Sequence, residues 1–344
     1  MTEGEVLGFD ALFDSMMKCK RGVIWKDSVA RYYLNGLEET LKLEEQLKNG
    51  TYKPRKPTKI KVNYPKERDV VSIAFRDRVY QRSLNDNEIY PKMSKTLIYD
   101  NMACQKGKGT ERAIKRIKTF LSKMYRKYGT DFYILQMDIK GYYPNMRHDV
   151  AKRKFRKHLE DWSYERAAKI MDEQYDGKVG YNPGSQMIQI AGISVLDELD
   201  HYIKERLKIK YYLRYQDDKI NSHQDKKYLE QCLVKITEEL AKIGFEPNEK
   251  KTKIYPISEG IKALGFTFHV SDTGKIYMLI DPDNVKHQRK KLRRLVHKAK
   301  KGLITKEQVD ASLDGWKAHA KLGNTYNVRK RMDEYYDELW KEEV

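Results

Sequence analysis

The chain has 344 residues, enough to bury a large core and to form two or three subdomains. Its 69 Lys and Arg against 50 Asp and Glu leave a formal net charge of +19, spread over every region, which favours a polyanionic partner such as nucleic acid. Cys19, Cys104 and Cys232 lie far apart with no CxxC pair, which argues against a disulfide framework or zinc site and for a reducing, cytoplasmic setting. No window approaches the ~20 apolar residues of a membrane span, and the opening MTEGEVLGFD lacks a basic stretch followed by an apolar one.

Residues 8–49 read as helical, with Leu37, Leu41, Leu43 and Leu47 near helical spacing and Asn49-Gly50 as the stop. From Thr51 to Val71 Pro and Lys alternate with short β-formers, which predicts an extended, basic hairpin. Helices are expected at 77–90 and 110–127, with a loop carrying Gly107 and Gly109 between them. Phe132–Met137 is an apolar run of strand length that ends in Asp138. Helical stretches follow at 148–175 and at 186–208, the second striped by Ile190, Val195, Leu196, Leu199 and Ile203. Tyr211–Tyr215 is β-prone and stops at Asp217-Asp218. An amphipathic helix at 226–243, β-prone pieces at 252–257 and 262–270, and a basic helical region from 283 to 344 complete the chain. Strands interspersed with long helices predict an α+β fold with a terminal helical module.

Two β-prone segments, LQMDIKGYY and LRYQDDKI, thus each deliver carboxylate at their C-terminal end. An adjacent Asp pair in a buried strand is costly unless positive charge sits between the carboxylates. Mg²⁺ supplies that charge, prefers hard oxygen ligands and leaves positions for substrate phosphate. Two such ions activate a hydroxyl and stabilise a departing pyrophosphate. Taken singly, Asp-Asp reads equally as a solvated turn; the ordered combination carries the chemistry.

In that order the sequence resembles the reverse transcriptase family, from about Trp25 to Arg331. LQMDIKGYYPNM is similar to the first catalytic block and RYQDD to the aromatic-x-Asp-Asp block. NPGSQMIQIAGISVLDELDHYIKERL resembles the block lining the nucleotide and template pocket, and YPKERDVVSIAFRDRVYQRSL the fingers block. GFEPNEKKTKI and KALGFTFHV resemble the next block and the primer grip, placed at Leu264-Gly265-Phe266. GWKAHAKLGNTYNVRKRM resembles the thumb ending of small bacterial enzymes. The resemblance implies a right-hand polymerase: fingers in residues 1–125, a palm of antiparallel sheet backed by helices in 126–272, and a helical thumb in 273–344.

It also implies residue roles. Asp138, Asp217 and Asp218 would be catalytic, ligating two Mg²⁺ ions (Mn²⁺ as substitute) together with the Ile139 carbonyl. Tyr143 falls where the family places a steric gate against a 2′-hydroxyl; without Asp138 nearby it would read as a core aromatic. Lys66 and Arg68 would reach the triphosphate, their alternative being a solvated hairpin face. Gly184 would let backbone approach the incoming nucleotide, or simply make a turn. Lys251 matches a lysine that protonates pyrophosphate. The basic stretch 288–301 would track the template–primer backbone, with Trp316 and Tyr326 as core or stacking residues, the core reading being favoured for both.

Several positions depart from the common pattern. Pro183 stands where many relatives carry Gln, Ile188 where Ser is usual, and Gln216 where a small residue or Met precedes the Asp pair. Gln189 replaces the Pro of retroviral, retron and group II intron enzymes, as in the error-tolerant enzymes of diversity-generating retroelements. The implied partners are an RNA template, a DNA or RNA primer and dNTPs, with an accessory protein or dedicated structured RNA as a further class and no membrane. Retroelement diversification and anti-phage defence both fit as roles. A non-catalytic RNA-binding protein of polymerase fold is the alternative from another class; it would be favoured by loss of a catalytic Asp, and none is lost.

Overall fold

The structure, a computed structural model, describes residues 1–62, 67–181 and 184–341, and of Arg68 and Asp69 the backbone alone. Four helices open the chain: α1 (Glu3–Leu7), α2 (Phe9–Cys19), α3 (Asp27–Leu34) and α4 (Gly36–Lys48). The hairpin β1 (Thr58–Val62) and β2 (Arg68–Ser72) follows, then α5 (Phe75–Leu84), α6 (Tyr90–Met93) and α7 (Thr110–Tyr128). Strand β3 (Tyr133–Met137) leads to α8 (His148–His158), α9 (Asp161–Gln174), α10 (Gln186–Val195) and α11 (Asp197–His201). Next come β4 (Tyr211–Tyr215), β5 (Asp218–His223), α12 (Lys226–Lys242), β6 (Lys253–Pro256), β7 (Ile261–Ala263), β8 (Phe266–Val270) and β9 (Ile276–Ile280). Helices α13 (Pro282–Lys300), α14 (Lys306–Ala320) and α15 (Tyr326–Lys341) end it.

The strands form the hairpin β1-β2, a sheet of order β4-β5-β3-β6, and a sheet of order β7-β8-β9. Strands β3 and β6 run antiparallel, with Tyr133 opposite Pro256 and Gln136 opposite Lys253. The chain divides into two compact units, each gathered from separate segments: residues 1–107, 137–219 and 232–252, and residues 108–136, 220–231 and 253–344. Among the described residues no helix is long and apolar enough to cross a membrane.

In the first unit α10 is almost wholly buried: from Met187 to Val195 every residue is buried except Gln189, which is half-buried. Ser185 caps this helix, its hydroxyl accepting from the Ile188 amide at 3.2 Å. On α4 the helical spacing holds but the buried face is Gly36, Thr40, Leu43 and Leu47. Leu37 and Leu41 are 63% and 53% exposed, so only half of the leucine series predicted from spacing enters the core.

In the second unit α7 buries Ile114, Ile117, Phe120, Leu121 and Met124 at the i, i+3, i+4, i+7 spacing of an amphipathic helix. Strand β9 was expected in no element; it pairs with β8 as a hairpin from Phe266↔Ile280 to Val270↔Ile276, and this cross-strand pairing makes it a strand. The C-terminal helices bury Leu292, Val296, Leu313, Met332 and Leu339. Trp316 is buried as expected, its Nε1 donating to Asn284 Oδ1 at 2.7 Å, whereas Tyr326 is 72% exposed and is no core residue.

Candidate active site

Two backbone devices, both within the first unit, present the carboxylates. Beyond β3 the chain makes one bridge, Ile139 opposite Pro247. The Asn248 amide donates to the Asp138 carbonyl at 2.8 Å, and the Lys140 amide to the Glu246 carbonyl at 3.0 Å. Neither bond uses the Ile139 carbonyl. The Asp138 carboxylate is 5% exposed and accepts from Asn248 Nδ2 at 3.0 Å, while Lys251 Nζ lies 3.1 Å from the same oxygen.

The second device is the turn after β4. Gln216 takes φ +59°, a left-handed conformation that few side chains adopt. Two fully buried basic side chains hold the carbonyls of the turn: Arg214 Nη1 donates to Gln216 O at 3.0 Å, and Lys219 Nζ to Asp217 O at 3.2 Å. Arg214 is in turn held by Asp200 and by the Ile193 carbonyl at 2.6 Å. The carbonyls are thereby fixed, and Asp217 and Asp218 project from an anchored turn.

The electrostatics show the strain of gathering negative charge. Asp217 is pushed up from its ordinary pKa chiefly by burial, with Asp138 adding repulsion. Crowding by protein, then the charges of Asp217 and Asp138, push Asp218 up to about 6, although part of its side chain meets solvent. Lys219 is pushed down to about 7, mainly by burial and secondarily by Arg214. For Lys251 burial works downward, but its bond to Asp138 and the neighbouring charges outweigh it and raise the pKa. Such a donor set of hard oxygens, destabilised as anions, fits a divalent cation. Among the described residues no group of three His, Cys, Asp or Glu side chains is drawn together as a ready-made cage. Asp138 is engaged by Lys251 and Asn248, and a site of this kind would be completed by substrate phosphate.

Tyr143 is half-buried beside this turn, its hydroxyl donating to Gln216 Oε1 at 3.1 Å. Gly192 makes room for it, since a Cβ there would stand 2.7 Å from the Tyr143 hydroxyl. The hydroxyl of the neighbouring Tyr142 bonds the Gly192 carbonyl. Gly184 is required by the chain itself: a Cβ would come within 2.5 Å of the Val71 carbonyl. Gln189 sits on α10 with its Oε1 3.9 Å from Cys104 Sγ. Arg68 stands opposite Val62 in the β1–β2 hairpin. Lys66 and Pro183 lie outside the described residues.

In the second unit Leu264 and Gly265 form the tip between β7 and β8, with φ of +56° and +83°. Phe266, expected in the primer grip, is 1% exposed and packs against His319 at 4.9 Å between ring centroids. Sequence reasoning missed Arg214, Asp200, Lys219, Asn248 and Cys104. A charged residue inside the β-prone run YYLRY was the available signal for Arg214, because a buried cation must have a partner.

Comparison with curated proteins finds no match. Among solved structures, telomerase from Candida albicans in complex with a TWJ fragment of telomeric RNA aligns over 91% of this chain and 66% of its own, at 11% identity and TM-score 0.51. Apo telomerase from Candida tropicalis aligns over 88% of this chain and 66% of its own, at 13% identity and TM-score 0.48. A form truncated from the C-terminal domain aligns over 66% and 54%, at 16% identity and TM-score 0.48. The chain therefore spans between 54% and 66% of the length of these structures. The Candida albicans match, with the mixed helix-and-sheet architecture, bears out the right-hand polymerase fold. The family profile described as "Reverse transcriptase (RNA-dependent DNA polymerase)" matches residues 56–268, more than half of the chain and all of the carboxylates above, so the chain belongs to the reverse transcriptase family.

Proposed function

We propose that this chain synthesises cDNA on an RNA template with Asp138, Asp217 and Asp218 as the ligands of two Mg²⁺ ions, Mn²⁺ being a substitute. The observation that carries this is the anchored turn beside Asp138, where burial and Asp138 raise Asp217, and crowding by protein with the charges of Asp217 and Asp138 raises the more exposed Asp218. The chemistry supplied by bound ions is activation of a primer 3′-hydroxyl and stabilisation of the departing pyrophosphate. Asp138 and Asp217 would reach both ions, with Asp218 and the Ile139 carbonyl completing the protein's share.

The remaining roles follow from position. Lys251, 3.1 Å from Asp138, balances its charge and would give a proton to pyrophosphate. Lys66 and Arg68 would grip the triphosphate. Tyr143 would sit beneath the sugar as the gate against a 2′-hydroxyl, and Gly184 and Gln189 would line the nucleotide and template pocket. We read residues 1–125 as fingers, 126–272 as palm and 273–344 as thumb. The partners are an RNA template, a DNA or RNA primer and dNTPs, joined by an accessory protein or a dedicated structured RNA. Three free cysteines suit a cytoplasmic enzyme.

Asp217→Asn should abolish primer extension with Mg²⁺ on RNA, a barrier cost on the order of several kcal/mol. Extension at the wild-type rate by that variant would overturn the catalytic assignment. For the biological role we favour retroelement diversification or anti-phage defence, and Gln189 bears on the choice. An amide can donate and accept, and so tolerate more than one base arrangement, where Pro would offer a rigid backbone and no donor. Sequenced cDNA should show errors concentrated opposite template adenine, reduced in Gln189→Pro; a uniform error spectrum would count against diversification.

A further inference from the structure

We propose that the sugar gate of this enzyme is a hydrogen-bonded series of four side chains, in which Gln216 and Cys104 are positioning residues for Tyr143. This rests on the reading of Tyr143 as the gate. The Tyr143 hydroxyl donates to Gln216 Oε1 at 3.1 Å, Gln216 Nε2 donates to Cys104 Sγ at 2.7 Å, and Cys104 Sγ reaches Gln189 Oε1 at 3.9 Å. Every donor and acceptor runs in one direction. Burial raises the Cys104 pKa, so the sulfur stays a thiol that can accept from Gln216 and donate to Gln189.

The backbone keeps the series in place. Gln216 is held left-handed by Arg214, and Cys104 is itself left-handed at φ +53°. The Arg214 amide donates to the Asp100 carbonyl at 3.0 Å, and the Met102 amide to the Arg214 carbonyl at 2.9 Å. The segment 100–104 is thus laced to β4, which sets the Cys104 thiol against the Gln216 amide. The other sides of the Tyr143 ring are closed by Gly192 and by Tyr142, whose ring meets it edge-on at 5.3 Å. A gate discriminates by where its ring stands, so a free hydroxyl would let the ring swing away from a 2′-hydroxyl. Through Cys104 the gate is also joined to Gln189, coupling sugar selection to the pocket's template side.

The test is single-turnover incorporation of a dNTP and its matching rNTP on an RNA template, with melting temperatures as the folding control. Tyr143→Phe, Gln216→Met and Cys104→Ala should each lower dNTP over rNTP preference by about three- to tenfold, the loss of roughly one neutral hydrogen bond. Cys104→Ser, which keeps a donor and an acceptor, should restore wild-type discrimination. Tyr143→Phe combined with Gln216→Met should be no more permissive than either change alone. Additive effects in that pair, or unaltered discrimination in Cys104→Ala, would overturn the proposal. If Gln216→Met extends nothing, Cys104→Ala against Cys104→Ser decides alone. A wild type that incorporates no dNTP would instead sink the polymerase reading on which the proposal stands.

Discussion

The guanidinium of Arg214 and the carboxylate of Asp200, both without solvent exposure, share hydrogen bonds of 2.8, 2.9 and 2.7 Å. Asp200 comes from α11 and Arg214 from β4, and the same guanidinium reaches the Ile193 carbonyl of α10 and the Gln216 carbonyl of the turn after β4. One planar fork with five donors therefore ties two helices to the turn that carries Asp217 and Asp218. A lysine could not do this, because its point charge lacks the fork geometry.

Breaking the pair leaves an uncompensated buried charge. Asp200→Asn and Arg214→Met should each lose about 3–5 kcal/mol in urea unfolding, far more than any exposed pair. Arg214→Lys, which keeps the charge, should still lose extension activity, because the Gln216 carbonyl is released. Wild-type stability in Asp200→Asn would mean that the carboxylate is not the guanidinium's main partner.

Divalent-ion binding should depend on pH in a direction set by Asp218. Its folded pKa, about 6, lies above the ordinary carboxylate value, so folding opposes its ionisation. Asp218's contribution to the stability of the metal-free protein is therefore lost as pH rises from about 4 to 6, and a bound cation offsets that loss by pairing with the ionised carboxylate. The rise in melting temperature with excess Mg²⁺ should be small at pH 5 and reach a plateau above pH 7. Apparent affinity should fall about tenfold per pH unit below 6. In EDTA, Asp218→Asn should melt above wild type at pH 7.5, and that gain should shrink toward pH 4.5. A Mg²⁺ effect equal at pH 5 and 7.5 would contradict this.

Tyr143→Val should raise ribonucleotide use while dNTP incorporation survives, since the change removes a ring and leaves Asp138, Asp217 and Asp218 untouched. The ratio of single-turnover efficiencies should fall by at least about tenfold, more than in Tyr143→Phe, which keeps the ring. Gly192→Ala tests the same wall from behind. Its new methyl would stand 2.7 Å from the Tyr143 hydroxyl, so dNTP incorporation should weaken as the ring is displaced. An unaltered ratio in Tyr143→Val would place the gate elsewhere.

The carboxylates could be read from the sequence because their signals are local. Each follows a short β-prone run, and strand followed by Asp survives whatever the tertiary context. The hydrogen-bonded series could not, because Tyr143, Gln216 and Cys104 are separated by 73 and 112 positions. Lys219 reads as a surface lysine in QDDKI and is fully buried; no periodicity distinguishes the two. Leu37 and Leu41 keep the same helical spacing as Leu43 and Leu47, and only packing against α2 and its neighbours decides which pair is covered. Strand β9, IYMLI, lacks an alternating pattern and gets its conformation from β8. Helix α10 was visible as an apolar stripe, but not that Gln189 would be its polar exception.

The last prediction concerns the basic helix α13. Lys286, Arg289, Lys290 and Arg293 recur at i, i+3, i+4 and i+7, and with Pro282, Val285 and Tyr335 they line a surface groove of about 410 Å³. Arg289 lies 4.9 Å over the Tyr335 ring, which holds its guanidinium in the groove. The basic stretch 288–301 read from sequence includes Lys290 and Arg293 but omits Lys286, and it contains Lys291 and Arg294, which do not line the groove. If the groove meets phosphate, each cation contributes about 0.9 to the slope of log K against log salt on a duplex. Lys286→Gln with Arg289→Gln should therefore flatten the slope for template–primer binding by up to about 1.8, while Lys291→Gln with Arg294→Gln should change it less. Both double variants remove two positive charges, so a general charge effect would lower both slopes equally. Equal slopes in the two variants would show that the nucleic acid senses net charge and not this groove.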